Sequence, residues 1–182
     1  MSSQVPMFKK LTESLAEQRR AVFRDLCDRF GGPNMIPDDA WKEQLLSAQE
    51  FRVCRLGSVE TRNLLKNWRP GNYFCLCCGT ALFDSNDKYY ATHGWLSFSR
   101  SIGGVERVTT SCNGLKRVEV KCKECHSHLG LICPDSVSET GERFTINSAA
   151  LVFEIEKFDD ALRRYTPQPS HLFQSCRLEL RT

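Results

Sequence analysis

No apolar run in this 182-residue chain approaches the roughly 18 residues that a membrane-spanning helix needs, so insertion into a bilayer is not expected. The N-terminal Met1-Ser2-Ser3-Gln4-Val5-Pro6 lacks the apolar centre of a secretory signal. Glu13, Glu17, Asp25 and Asp28 interrupt the basic residues that a mitochondrial presequence would string together. Long Lys/Arg runs are also missing and the net charge is only +3, which leaves no footprint for nucleic acid. There is no low-complexity segment and no internal repeat beyond two short cysteine motifs. These absences point to an intracellular, reducing compartment, cytoplasmic or cytoskeletal rather than mitochondrial, and not secreted.

What is present is an ordinary globular composition, 41% hydrophobic and 26% charged, enough for one domain with extensions. Apolar residues at Phe8, Leu11, Leu15, Val22, Phe23, Leu26 and Phe30 fall at roughly helical spacing. Gly31-Gly32-Pro33 stops that helix. Asp38 suits the cap of a second, short helix carrying Trp41 and Leu45. From Phe51 onward the pattern reads as short strands and loops, with strands at Tyr73–Phe74, Arg117–Lys121, Gly130–Cys133 and Phe144–Glu156. The expected organisation is a helical extension over residues 1–37, a mainly β domain over 38–156 and a tail over 157–182. The extensions carry apolar stripes that need a surface, either their own domain or other protein subunits.

The ten cysteines would suit a disulfide scaffold in a secreted chain. Their arrangement argues otherwise. Cys75-Leu76-Cys77-Cys78 and Cys122-Lys123-Glu124-Cys125 are two C-x-x-C turns, each aiming two sulfurs at one point. Together they complete a tetrahedral four-thiolate site, the closed geometry of structural zinc. Buried free cysteines and an iron–sulfur centre are the alternatives. Cys77 is a spare thiol inside the first turn and competes with Cys75 and Cys78 as a ligand, although the latter pair has the better spacing. Four sulfur ligands leave no position for water, so the metal is expected to be structural.

Several motifs then occur in one order. Trp41-Lys42 leads through Phe51-Arg52-Val53 to the four cysteines, Gly94-Trp95-Leu96-Ser97-Phe98, Arg117-Val118-Glu119-Val120, His128-Leu129-Gly130, Asp135 and Arg143-Phe144-Thr145-Ile146-Asn147-Ser148-Ala149-Ala150-Leu151. This series resembles the methionine-(R)-sulfoxide reductase B family over about Asp38 to Glu156. The resemblance implies two antiparallel sheets packed as a tent, an entry helix and first strand over Trp41–Val53, and zinc on Cys75, Cys78, Cys122 and Cys125. It also implies a pocket in which Trp95 contacts a methyl group while His128 and Asn147 set polarity.

The same resemblance places Thr145 at the position of the family's catalytic cysteine or selenocysteine. Leu131 stands at that of a histidine that binds and protonates the sulfoxide oxygen. Leu96 replaces a proline, and His93 stands where some members carry a resolving cysteine. Sulfur reduces a sulfoxide by passing to the sulfenic level, and a threonine oxygen has no such state. The reading is therefore a zinc-stabilised pseudoenzyme with no catalytic residue. Its degenerate site comprises Thr145, Leu131, Trp95, His128 and Asn147. It would act as a structural or interaction subunit, docking other proteins through residues 1–37 and 157–182. The alternative is a working peptide-methionine (R)-S-oxide reductase using a displaced cysteine, Cys133 or Cys112.

Overall fold

The computed structural model describes residues 14–60, 64–91, 94–112 and 115–156. The expected tail over 157–182 and the helical spacing at Phe8 and Leu11 lie outside the described residues, as does His93. Among those described, three helices precede nine strands. The helices are α1 (Leu15–Phe30), α2 (Asp38–Gln44) and α3 (Ala48–Leu56). Strands β1 (Gly71–Cys75), β2 (Ala81–Asp84) and β9 (Leu151–Ile155) form one sheet in the order β2-β1-β9. Strands β3 (Lys88–Tyr89), β4 (Leu96–Phe98), β5 (Val105–Cys112), β6 (Leu115–Cys122), β7 (His128–Pro134) and β8 (Glu142–Ile146) form the other, in the order β3-β4-β8-β7-β6-β5. Every strand pairing is antiparallel. This is the expected mainly β, two-sheet architecture.

The sheets meet through aromatic rings. Tyr73 and Phe83 of the smaller sheet pack on Phe98 and Phe144 of the larger, with Phe83 stacked on Phe98 at 4.4 Å and Tyr73 edge-on to it at 5.0 Å. Rings of this size bury the most apolar area per residue and prefer offset or edge-on contact. The core continues without interruption from Phe23 and Leu26 of α1 to Val152 of β9.

The helix α1 is set by local signals at both ends. Ser14 accepts from the Glu17 amide while the Glu17 carboxylate accepts from the Ser14 amide, a complete capping box. Gly31 closes it in the left-handed region at φ 81°. Its inner face is spent on this domain: Leu26 is fully buried, Phe23 stacks on Trp41, and Phe30 packs at the edge of the core. Arg20 donates to the Gly79 carbonyl at 2.7 Å, and Glu154 accepts from the Ala16 amide at 2.8 Å. Gly79 permits this docking, because a Cβ there would collide with the Ala16 carbonyl. Leu15 remains largely exposed. Of the stripe's described residues, Val22, Phe23, Leu26 and Phe30 therefore pack on this domain, one of the two surfaces expected for them.

Three details depart from expectation. The Phe51–Val53 segment is helical rather than a strand. Ser47 and Glu50 form a capping box and Gly57 a left-handed C-cap, and these termini outweigh the strand preference of Phe51 and Val53. Asp38 is the first residue of α2 and Pro37 stands at its cap. The single strand expected over Phe144–Glu156 is two strands from different sheets, divided by a 3-10 turn at Ser148–Ala150.

The packing of α1 makes a direct prediction. Leu26→Ala should cost about 2–5 kcal/mol in urea unfolding, the usual range for a buried leucine, whereas Leu15→Ala should change stability by less than about 0.5 kcal/mol.

Candidate functional site

Cys75 ends β1 and Cys122 ends β6, so each knuckle hangs from a different sheet. Within the first, the Cys75 amide donates to the Thr80 carbonyl and the Gly79 amide returns to the Cys75 carbonyl. The second repeats the pattern: the Cys122 amide donates to the Ser127 carbonyl and the His126 amide to the Cys122 carbonyl. These turns converge four buried sulfurs lying within 4.8 Å of one another. The Cys75–Cys125 and Cys78–Cys122 separations are 3.6 and 3.5 Å. A regular tetrahedron with ~2.3 Å zinc–sulfur bonds has edges of about 3.8 Å, so the four residues fit one metal ion. Thr80 and Ser127 hydroxyls lie 3.1 and 3.2 Å from the sulfurs of Cys78 and Cys125, outer contacts of the kind that orient ligands. Contact with the Cys122 thiol, then with neighbouring thiols, holds Cys75 well above its ordinary pKa, and burial does the same for Cys125. A divalent cation offsets that cost and supplies cross-linking between the sheets when bound.

A separate cavity of about 400 Å³ opens on the outer face of the larger sheet. Gly57, Val59, Trp95, Arg117, His128, Gly130, Leu131, Thr145 and Asn147 line it. All five pocket positions named from the sequence are brought together here. Strand register explains how. Thr145 pairs with Leu131 on β7 and with Ser97 on β4, and Leu131 pairs with Glu119 on β6. Directly opposed residues share a face. The next row, Ile132–Phe144–Phe98, points the other way into the core. Gly130 lets the strands close, since a Cβ there would collide with the Thr145 carbonyl.

His128 reaches the cavity through an irregularity. The register of β6 and β7 shifts between Val120 and Lys121, so Val120 pairs with Gly130 but Lys121 with His128. The extra residue, Leu129, is fully buried. Without this bulge His128 would share the Gly130 face; with it the ring is re-aimed. Its Nδ1 pairs with the Glu119 carboxylate at 2.7 Å, which fixes the ring orientation.

Asn147 lines the cavity and supports the turn at the end of β8. It is buried, its amide donates to the Ser58 carbonyl at 3.0 Å, and its oxygen accepts from the Ala149 amide at 3.2 Å. It caps the 3-10 turn and ties the end of α3 to the cavity wall, so its polar atoms are engaged by backbone.

Thr145 sits in a hydrogen-bonded chain that sequence reading missed. Arg143 Nε donates to Thr145 Oγ1 at 3.1 Å, and Arg143 Nη1 donates to Asp135 Oδ2 at 2.6 Å. Tyr89 also donates to Asp135 Oδ2, at 2.9 Å. Cys133 pairs across the strands with Arg143, and its sulfur lies 3.7 Å from Thr145 Oγ1. Period-two alternation places Leu131, Cys133, Arg143 and Thr145 on one face once the register is known. Cys112 ends β5, in register with Leu115.

Asp135 is held below its ordinary pKa, first by the Val137 amide and then by the Tyr89 hydroxyl and the Arg143 guanidinium. Burial and the neighbouring Asp135 push the Tyr89 phenol up to about 12.

A mainly β protein with a four-thiolate metal site and a cleft on the outer face of its larger sheet is thus defined. Residues 46–155 match the family model described as the SelR domain, and the chain belongs to that family. It is 42% identical over 120 residues to "Peptide methionine sulfoxide reductase MsrB" of Pseudomonas paraeruginosa, covering 63% of this chain and 90% of the relative. The corresponding protein of Methylibium petroleiphilum is 41% identical over 122 residues, 64% of this chain and 88% of the relative. "Probable methionine-R-sulfoxide reductase B" of Caenorhabditis elegans is 38% identical over 129 residues, 67% and 84% respectively. Among solved structures, the Mis18 "Yippee-like" domain aligns at TM-score 0.39 and 17% identity over 49% of this chain, too slight a likeness to bear on function. No helix among the described residues is long and apolar enough to cross a membrane.

Two outcomes test the site. Cys122→Ser should lose bound zinc, measured by elemental analysis, and unfold well below the parent temperature, because metal binding is coupled to folding. Asp135 has a folded pKa below its unfolded value near ~4. Its stabilisation is therefore complete above that value and lost as pH falls through the folded pKa. Asp135→Asn should lower the denaturation midpoint at pH 7, and the gap to the parent should shrink as pH falls below about 4.

Proposed function

We propose that this SelR-family chain keeps the fold and the cavity of a methionine sulfoxide reductase but is a pseudoenzyme, serving as a structural or interaction subunit. The observation that carries the reading is the occupant of the Arg143 contact. The guanidinium donates to a threonine oxygen, which has no accessible oxidised state to receive the sulfoxide oxygen. Beside it stands Leu131, which neither donates nor accepts a proton. Trp95, His128 and the cavity remain, which supports binding of a thioether- or sulfoxide-sized side chain without turnover. Protein contacts through residues 1–37 and 157–182 belong to this proposal. Since Phe23 and Leu26 are consumed by the core, such contacts fall to the segments flanking it and to exposed side chains such as Leu15.

One observation favours a second reading, the position of Cys133. In that route its sulfur attacks the sulfoxide sulfur, the thioether leaves, and the oxygen stays on sulfur as Cys133 sulfenic acid. Two equivalents of an external thiol then restore the thiol, forming one disulfide and one water. The 3.7 Å between Cys133 Sγ and Thr145 Oγ1 makes the route geometrically open. The same offset weighs against it as an efficient one, because a misplacement of only ~1 Å costs about 10²-fold in an oriented reaction.

The experiment is reduction of a dabsylated methionine-(R)-sulfoxide with dithiothreitol. The parent chain should show no turnover above buffer, and Thr145→Cys alone little. Thr145→Cys with Leu131→His should exceed either single change. Parent turnover that disappears in Cys133→Ser would overturn the pseudoenzyme reading in favour of the second.

A further inference from the structure

The cavity on the outer face of the larger sheet carries an unbalanced positive charge. Arg117 lines it and is exposed. Its guanidinium has no partner among the described residues. Val118 pairs with Ile132 and Cys133 with Arg143, so Arg117, Cys133 and Arg143 stand in one row, on the face shared by Leu131 and Thr145. Arg143 is neutralised by Asp135; Arg117 is not. Carboxylates on the surrounding elements are already engaged. Glu119 faces His128 and Lys121, Asp135 faces Arg143 and Tyr89, and Glu60 faces Gln49 and Arg52.

The lining beside this cation is apolar at Trp95, Leu131 and Val59, and Val59 is 67% exposed, with Leu56 close by in sequence at 65%. About 400 Å³ admits a side chain and not a folded surface. An exposed cation beside an apolar hole selects a ligand of two parts, an apolar group inside and an anion at the edge. We propose that the cavity docks an acidic peptide segment of a partner protein, taking one unoxidised methionine side chain while Arg117 pairs with an adjacent aspartate or glutamate. This rests on the reading of the cavity as a site of binding without turnover, and it names the ligand. A thioether sulfur needs no hydrogen-bond donor, whereas burying a sulfoxide oxygen without one is costly. The donors of the inner wall are taken: Thr145 bonds Arg143 and Cys133, and His128 Nδ1 pairs with Glu119. A free amino acid would bring its ammonium beside Arg117, which a peptide does not. An exposed ion pair contributes modestly, so Arg117 sets the charge preference and the side chain supplies most of the affinity.

The test uses the full-length protein and end-blocked peptides with one methionine between two glutamates, two glutamines or two lysines, titrated calorimetrically. The glutamate peptide should bind about fivefold more tightly than the lysine peptide, and the gap should close in ~1 M salt. Replacing methionine by alanine in the peptide should abolish binding, and Arg117→Glu should invert the charge order. Methionine-dependent binding indifferent to flanking charge would overturn the inference while leaving the cavity reading intact. Charge-dependent binding that survives loss of the methionine places the contact elsewhere and also overturns it. So does tighter binding of a glutamine-flanked methionine sulfoxide, since Arg117 would then serve the sulfoxide oxygen. Absence of binding by any peptide removes both this inference and the binding role of the cavity. Unoxidised peptides cannot be turned over, so the outcome is separate from that of the reductase assay.

Discussion

Four sulfurs within 4.8 Å of one another set the terms for the rest of this structure. The first pair hangs from the end of β1 in the smaller sheet and the second from the end of β6 in the larger. Aromatic packing between Tyr73, Phe83, Phe98 and Phe144 brings the sheets together, but such contact is adaptable in angle. The tetrahedral demand of a bound ion is not, and structural zinc contributes on the order of 10 kcal/mol to folding. A metal bound there would fix how the larger sheet stands, and the face that this sheet turns outward carries the cavity. Helix α1 docks onto the same knuckle through Gly79, so the N-terminal segment is an extension of the metal site as much as an appendage.

The cavity is a consequence of strand register. Leu131, Thr145 and Ser97 lie in one row across β7, β8 and β4, and a one-residue slip would exchange this face for the core. The bulge at Leu129 breaks the alternation, and it delivers His128 to the cavity while keeping Leu129 in the core. Asn147 holds the opposite wall by bonding Ser58. Lining and frame are separable here: Thr145 and Leu131 line the cavity, while the bulge, the Asn147 tether and the Asp135–Arg143 pair hold its walls.

The metal site was legible because a C-x-x-C turn is a local object: its spacing alone aims two sulfurs, and only the meeting of two turns required the fold. The α3 helix was misread because Phe51 and Val53 suggest a strand, although Ser47, Glu50 and Gly57 carried a complete set of helix-end signals. Strand β5 escaped notice because Val105–Cys112 pairs only at the sheet edge with β6, and its polar residues offer no buried stripe. The pocket residues were found by resemblance, whereas the bond from the Asn147 amide to the Ser58 carbonyl needed the fold, since nothing in sequence joins positions so far apart.

The contact between Cys133 and Thr145 marks the limit of sequence reading most clearly. Twelve positions separate the two residues, and on a list of cysteines Cys133 looks like any bystander. Register alone brings its sulfur beside Thr145 Oγ1, under the same Arg143 whose charge is already shared with Asp135. Whether that sulfur reacts depends on orientation and on a proton donor, and both are set by the wall around it. Leu131 makes that wall apolar, while His128 is anchored at Nδ1 by Glu119 and lies in the Lys121 row, two rows along from the Thr145 row. On the proposed reading, the frame keeps a place for the chemistry while the lining withholds the donor beside it, and that combination would separate a retained fold from a retained reaction.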